Sequence, residues 1–439
     1  MKKPSRRHIL KMAASLPMFG MLPRQAWAQA TSSKRLIMIR AFGGWDVTYC
    51  MDPRLTTCSI HGPDFDPGDR RACDGVGAGE TIESFSGGGL RIMLNQMRRP
   101  SVGQFFQQNA DQTVVINGIS VGSIVHEECR HRIVTGNRDK SAADMGTLTA
   151  VSFGGMSTLP YLDLTGGAQV GPYAAQTGML GRNNQIIALV DRNLMIPGID
   201  GRIHPIHAPS DEAKSAIRGY LAKQRQQWRM TNALDPRSEK IGSDYEAAVQ
   251  RKADLVGSRD LLKENLSFGS SGNLIEQNET VVALMKAGIC HSATLETPIS
   301  WDTHDDITQQ HGLYEMLFGG LNDLVTRLKA AELYDETLIV VVSEMTRTPK
   351  MNQDGGKDHW PVTSAMLIGG SLAGGRTLGG TNDYLDAQPT ELNSGVVSMS
   401  SSRKIEYPNF AAGVLHAAGV DTASFLPGVE VLRGIIDEG

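Results

Sequence analysis

Four short stretches of this 439-residue chain bring acids and histidines to strand ends or glycine-rich turns. They are Trp45–Asp46, the segment from His126 to His131, Trp301–Asp302–Thr303–His304, and the segment from Glu344 to Asp358–His359. Taken singly, an acid at a strand end serves more often as a helix cap or turn former. A lone histidine is more often a hydrogen-bonded structural residue, and His131, His204, His207 and His291 are read that way. Four clusters in one chain point further. Carboxylate with imidazole is the ligand set of hydrolytic zinc and manganese centres. Hydrolysis of a phosphate or sulfate ester puts negative charge on the transferred group and on the leaving oxygen. Two cations about 4 Å apart stabilise both ends, and such a pair needs roughly five to seven Asp, Glu or His ligands.

The elements that would position these residues are those of an α/β protein. Arg35–Ala41 reads as a buried strand that runs into Phe42–Gly43–Gly44–Trp45–Asp46, and residues 112–118 as a second strand. Thr337–Ser343 is a continuous β-branched run suited to a sheet covered on both faces. Ser364–Gly370 is a further strand. Helical spacing marks Ile275–Ala287 and the series Tyr314, Leu317, Leu321, Leu324, Leu328. Residues 210–265 are charged, with Ala and Leu at helical spacing, and predict two helices joined near Asn232–Pro236. Residues 50–90, rich in Gly, Asp and Pro, predict a surface insertion. The glycine-rich run from Gly369 to Gly380 predicts a loop or hairpin, because it lacks the Gly-Lys-Ser/Thr of a phosphate cradle. Residues 29–439 are therefore expected to form one α/β domain with insertions at about 50–90 and 210–265.

Residues 1–28 have the three parts of a twin-arginine export signal. Ser5–Arg6–Arg7–His8–Ile9–Leu10–Lys11 carries the arginine pair, Met12–Leu22 is apolar, and Ala26–Trp27–Ala28 offers a cleavage site after Ala28. The apolar run is shorter than the ~20 residues that span a bilayer, and Pro17 and Pro23 interrupt it. The expected partner is the twin-arginine translocase and the expected location periplasmic or otherwise exported, with no integral membrane segment in the mature chain. The signal holds six of the 43 Lys and Arg and none of the 47 Asp and Glu, which leaves 37 basic against 47 acidic residues, a net of about −10. That balance argues against nucleic acid as a partner, since phosphate backbones need a basic footprint. Five cysteines at 50, 58, 73, 129 and 290 leave at least one without an intrachain partner. Cys58 with Cys73 is the expected pair, Cys50 a competitor, and Cys290 a small buried residue.

The motifs resemble a known family. Val342–Ser343–Glu344–Met345–Thr346–Arg347–Thr348–Pro349 followed by Gly355–Gly356–Lys357–Asp358–His359–Trp360–Pro361 is similar to the Glu-Phe-Gly-Arg-Thr-Pro and Gly-Arg-Asp-His-Trp of the Tat-exported, sulfatase-like domain-of-unknown-function family 1501, within the alkaline phosphatase superfamily. Trp301–Asp302–Thr303–His304 and Gly43–Gly44–Trp45–Asp46 resemble two further motifs of that family. The resemblance implies a three-layer sandwich, with a mostly parallel sheet between helices and metal ligands at its C-terminal edge. Carried over by position, the ligands are Asp46, His126, Asp302, His304, Glu344, Asp358 and His359. The cofactor would be a divalent metal: zinc, manganese, calcium or magnesium. Arg347 would hold an anionic group with its planar fork. Arg130, Arg132 and Arg138 form a short basic patch, either a solvated face or the flank of an anion site.

One departure bears on activity. The superfamily's nucleophile is a Ser, Thr or modified Cys at a helix start, and the matching position here is Val125, next to His126. Ser123 lies two residues early, and Thr135 is a weaker candidate. Two functional readings follow. One is an exported, metal-dependent hydrolase of phosphate or sulfate esters acting on an anionic small molecule. The other is a non-catalytic envelope binding or assembly protein on a degenerate phosphatase-like scaffold.

Overall fold

The computed structural model describes residues 34–436 apart from 58, 64, 67–76, 78, 154–156, 180–194, 198–202, 206–209, 233–234, 259 and 261–271. The proposed signal, Cys58, Cys73 and His207 lie outside the described residues, as does the side chain of His204.

Eight strands form the main sheet: β1 (Arg35–Arg40), β2 (Thr113–Ser120), β3 (Tyr161–Asp163), β4 (Thr177–Met179), β5 (Ser292–Glu296), β6 (Thr337–Val342), β7 (Val362–Ile368) and β8 (Arg376–Gly379). Their spatial order is β8-β2-β7-β6-β1-β5-β3-β4. All run the same way except β7, which is antiparallel to both β6 and β2. Both faces are covered. Side chains alternate along a strand, so Ile37, Ile39, Ile339 and Val341 enter one core while Leu36, Met38, Leu338, Val340 and Val342 enter the other.

The helices are α1 (Pro100–Asn109), α2 (His126–Thr135), α3 (Met145–Phe153), α4 (Asp211–Asn232), α5 (Pro236–Gly257), α6 (Leu274–Lys286), α7 (Gln310–Ala330) and α8 (Tyr407–Ala417). Phe105 of α1, Val281 of α6 and Leu317 of α7 fill the first core. Ile133 of α2, Leu148 of α3 and Phe410 of α8 fill the second. The architecture is a three-layer α/β sandwich. All five residues of the series from Tyr314 to Leu328 are buried in α7. The break between α4 and α5 is set by Asp235, whose side chain accepts the Arg237 N–H ahead of Pro236 at the first helical position. None of the helices among the described residues is long and apolar enough to cross a membrane.

Two local expectations need correction. The run from Gly369 to Gly380 is not all loop. Arg376–Gly379 is an edge strand paired in parallel with Val114–Asn117, and four residues are too few for alternation to register in sequence. Residues 50–90 are not wholly a surface insertion. Thr81–Phe85 and Leu90–Leu94 form an antiparallel ribbon, and Leu90, Ile92 and Leu94 reach the first core with no exposed surface. The Gly, Asp and Pro content hid that alternation.

Candidate metal centre

Three strand ends and one helix start converge at the C-terminal edge of the sheet. β1 runs into Gly43 and Gly44, both at positive φ. A Cβ on Gly43 would come within 2.3 Å of the Trp301 backbone nitrogen, so only glycine lets these two turns lie against each other. The loop after β5 is pinned by Trp301, whose ring meets Trp45 and Tyr314 edge-on at 6.2 and 5.0 Å between centroids. That anchor fixes the adjacent Asp302. β6 ends at Ser343–Glu344, and Thr346–Arg347 pairs with His359–Trp360 as a short antiparallel ribbon. α2 opens on His126, with the exposed Val125 as its cap.

Three histidine rings are each held from behind by an acceptor at Nδ1. His126 Nδ1 lies 2.7 Å from Glu344 Oε1, His359 Nδ1 2.9 Å from the Ile124 carbonyl, and His304 Nδ1 3.2 Å from Asp358 Oδ1. Each partner is a hydrogen-bond acceptor, and a proton on Nδ1 would leave Nε2 as the nitrogen able to bind a cation. Those Nε2 atoms converge on Asp302. His304 Nε2 and His359 Nε2 stand 3.0 and 3.3 Å from Oδ1, and His126 Nε2 3.4 Å from Oδ2. His304 Nε2 and His359 Nε2 are 2.9 Å apart. Imidazole nitrogens and a carboxylate oxygen gathered this closely form a compact nitrogen and oxygen donor set of the kind that binds transition metals.

The donor chemistry fits a metal ion. His126 Nε2 is buried and makes no hydrogen bond among the described residues, and His126, Asp302 and His359 offer ligand atoms all within 4.8 Å of one another. Burial works to raise the Asp302 carboxyl, but the hydrogen bond and charge of Arg347, followed by His359 and His126, outweigh it and hold the pKa at about 2. Burial lowers the His359 pKa, which keeps its ring in the neutral, ligating form. This is the arrangement of imidazoles oriented by acceptors behind them that metal centres use.

A family model described as a protein of unknown function, DUF1501, matches residues 34–431. The chain belongs to the DUF1501 family. No curated protein matches it by sequence. Solved structures it is similar to include a protein of the alkaline phosphatase superfamily from Vibrio parahaemolyticus, at 8% identity and TM-score 0.37 over 92% of this chain and 69% of that one. The lipoteichoic acid synthase LtaP from Listeria monocytogenes is 7% identical, at TM-score 0.37 over 91% and 76% of the two chains. The PsFucS1 sulfatase from Pseudoalteromonas sp. is 10% identical, at TM-score 0.37 over 92% and 72%.

In this DUF1501 protein the other predicted site residues have different employment. Asp46 is fully buried, caps the turn Val47–Tyr49 through Thr48, and pairs with the buried ammonium of Lys357 at 2.6 Å. It is turned to that partner and not to the histidines. Glu344 and Asp358 stand behind His126 and His304 as orienting acceptors. Burial opposes ionisation of Glu344, but His126, Arg130 and the Gly43 N–H bring its pKa below the usual carboxylate value. Arg347 is fully buried, and its three nitrogens bond the Gly43, Gly44, Trp301 and Lys357 carbonyls and Asp302 Oδ1 at 2.7 Å, so no exposed fork is presented to a substrate anion. Ser123 Oγ accepts the Val125 N–H at 3.2 Å in the turn before α2. Thr135 lies at the far end of α2, buried, donating to the His131 carbonyl. Cys129 is buried within α2, and burial pushes its thiol up to about 11, which disfavours the reactive thiolate. His131 and His291 are structural, bonded to Gln169 and the Asp139 carbonyl, and to the Lys34 carbonyl. Cys50, Cys129 and Cys290 are buried free thiols. Sequence reasoning missed Lys357 and the Ile124 carbonyl. A lysine inside an otherwise matching motif was the available signal for the first; a backbone acceptor leaves none.

Lys357 also ties the site to a pH response. Its ammonium donates to the His61 carbonyl at 2.7 Å, and the His61 ring accepts the Met351 N–H at Nδ1, 3.0 Å away. Burial, then the charges of Lys357 and Lys350, lower the His61 pKa to about 4. The unfolded chain therefore binds the extra proton first as pH falls. Stability from this group is complete above about pH 6.5 and is lost down to about pH 4. Urea midpoints measured from pH 7 to 4 are expected to fall less in His61→Gln than in the wild type; parallel curves would contradict the assignment.

Proposed function

We propose that this chain is an exported hydrolase of phosphate or sulfate esters that uses one divalent cation held by His126, His304, His359 and Asp302. The observation that carries the reading is the convergence of three Nε2 atoms on one carboxylate, each ring held from behind by an acceptor. Three imidazoles with one carboxylate suit zinc or another transition metal better than calcium or magnesium, which prefer oxygen ligands. The sequence-level expectation of two cations gives way to one, because the spare carboxylates are engaged: Asp46 by Lys357, Glu344 by His126 and Arg130, Asp358 by His304 and Asn352.

A divalent ion there would neutralise developing negative charge and acidify water. The side chains do the rest. Glu344 holds the His126 ring and Arg347 keeps Asp302 ionised. Val125 at the head of α2 offers no hydroxyl, so water is taken as the nucleophile: its oxygen bonds to phosphorus or sulfur as the ester bond breaks, and one of its protons ends on the leaving oxygen, which departs as the alcohol. The twin-arginine pattern of residues 1–28 supports a reaction outside the cytoplasm, reached through the translocase as a folded chain. The same Val125 supports the second reading, a non-catalytic envelope protein with a retained ion.

Metal analysis of the protein purified from its export compartment is expected to give one ion per chain. Two ions would refute the single-cation centre, and none above trace would refute the hydrolase. A screen of aryl phosphates and aryl sulfates then separates catalysis from binding. Turnover that survives Ser123→Ala supports water as the nucleophile, and its loss assigns that role to Ser123.

A further inference from the structure

We infer that Arg130 is the binding arm for the anionic group of the ligand at this centre, an inference that rests on the reading of the centre as an anion-processing site. The other arginines around the centre are engaged within the protein. Arg347 spends its donors on carbonyls and Asp302 with no exposed surface. Arg132 is bound to the Val121 carbonyl and to Glu128, and Arg138 to the Tyr407 hydroxyl. Arg130 differs. One turn beyond His126 on α2, it donates only Nε, to Glu344 Oε1 at 3.1 Å. That is the oxygen that also takes His126 Nδ1. Its two terminal nitrogens make no hydrogen bond among the described residues, and its side chain is 41% exposed.

The open fork is nonetheless held in place. The guanidinium stacks over the Phe42 ring at 5.3 Å, and Phe42 is itself only 7% exposed. A planar cation fixed along one edge and one face presents its remaining N–H donors with little rotamer entropy left to lose. The beneficiary is an anion with two oxygens spaced for a fork, which describes phosphate and sulfate. Glu344 is not a competitor for that edge, since its oxygens are filled by His126, Arg130 Nε and the Gly43 N–H. The centre beside it is open, with Asp302 and His304 each 37% exposed. Specificity for the anionic end of a substrate therefore comes from α2 and not from the Thr-Arg-Thr-Pro motif.

The test is calorimetric titration of inorganic phosphate, and separately sulfate, into the full mature chain as purified, with bound metal measured on the same samples. Arg130→Gln is expected to weaken anion binding at least tenfold with metal content unchanged. Arg130→Lys is expected to recover only part of it, because a lysine keeps the charge without the fork. Wild-type affinity in Arg130→Gln overturns the inference. Loss of metal along with the anion also overturns it, since Arg130 would then only prop Glu344 behind His126. A metal-loaded wild type that binds neither anion overturns it while leaving the metal centre standing. Anion binding lost in Arg130→Gln by a chain that holds no metal sustains the inference and removes the hydrolase reading.

Discussion

His359→Ala is expected to empty the metal centre and to abolish any ester turnover while leaving the fold intact. The ring is the one whose Nε2 lies within reach of both His304 Nε2 and Asp302. It is partly exposed at the sheet edge and fills no core, so its removal costs the centre a donor without opening a cavity. Metal affinity should fall by more than the ~10- to 100-fold that loss of an outer orienting partner costs. Glu344→Gln supplies that comparison: the amide can still accept from His126 but lacks the charge, and its loss should stay inside the ~10- to 100-fold range. Metal content after dialysis against a graded chelator reads both. Full retention of metal by His359→Ala, with an unchanged melting transition, would remove His359 from the ligand set.

Lys357→Met is expected to destabilise the fold by about 3–5 kcal/mol. The ammonium and the Asp46 carboxylate have almost no exposed surface, and the bond between them is 2.6 Å long. Removing the cation alone strands a buried carboxylate, and against a total stability of roughly 5–15 kcal/mol that is a large share. The double replacement Asp46→Asn with Lys357→Met should recover much of the loss, since the amide still caps Thr48 and no charge is left unpaired. Urea denaturation of the two variants decides it. A single replacement that costs under about 1 kcal/mol would mean that water or another cation reaches Asp46.

The sheet was legible in sequence wherever burial wrote a long message. Thr337–Val342 reads as an apolar run, β-branched at all but Leu338, because both of its faces are covered, and the helix of Tyr314 and Leu317 reads because one stripe faces a core. Arg376–Gly379 did not read, being short and at an edge. At the site, residue type told which side chains would gather but not which would ligate. Asp46, Glu344 and Asp358 are chemically able to bind a metal. Lys357, His126 and His304 claim them first, across separations in the chain that no local pattern records. Arg347 looked like an anion fork for the same reason, and only the carbonyls around it reveal that it staples the turns together.

The reversal of β7 has a further consequence. β6 and β7 are hydrogen-bonded neighbours, so the chain leaves the sheet at Val342 and re-enters it at Val362 on the adjacent strand. Glu344, Arg347, Lys357, Asp358 and His359 all ride on that one excursion. A parallel return would have required a crossover to the far edge, but this connection starts and finishes at the same place. The segment is thus a cassette. It can be exchanged for the equivalent loop of another family member without re-threading any strand, provided the new loop still supplies a cation to Asp46 and a donor to the Gly44 and Trp301 carbonyls.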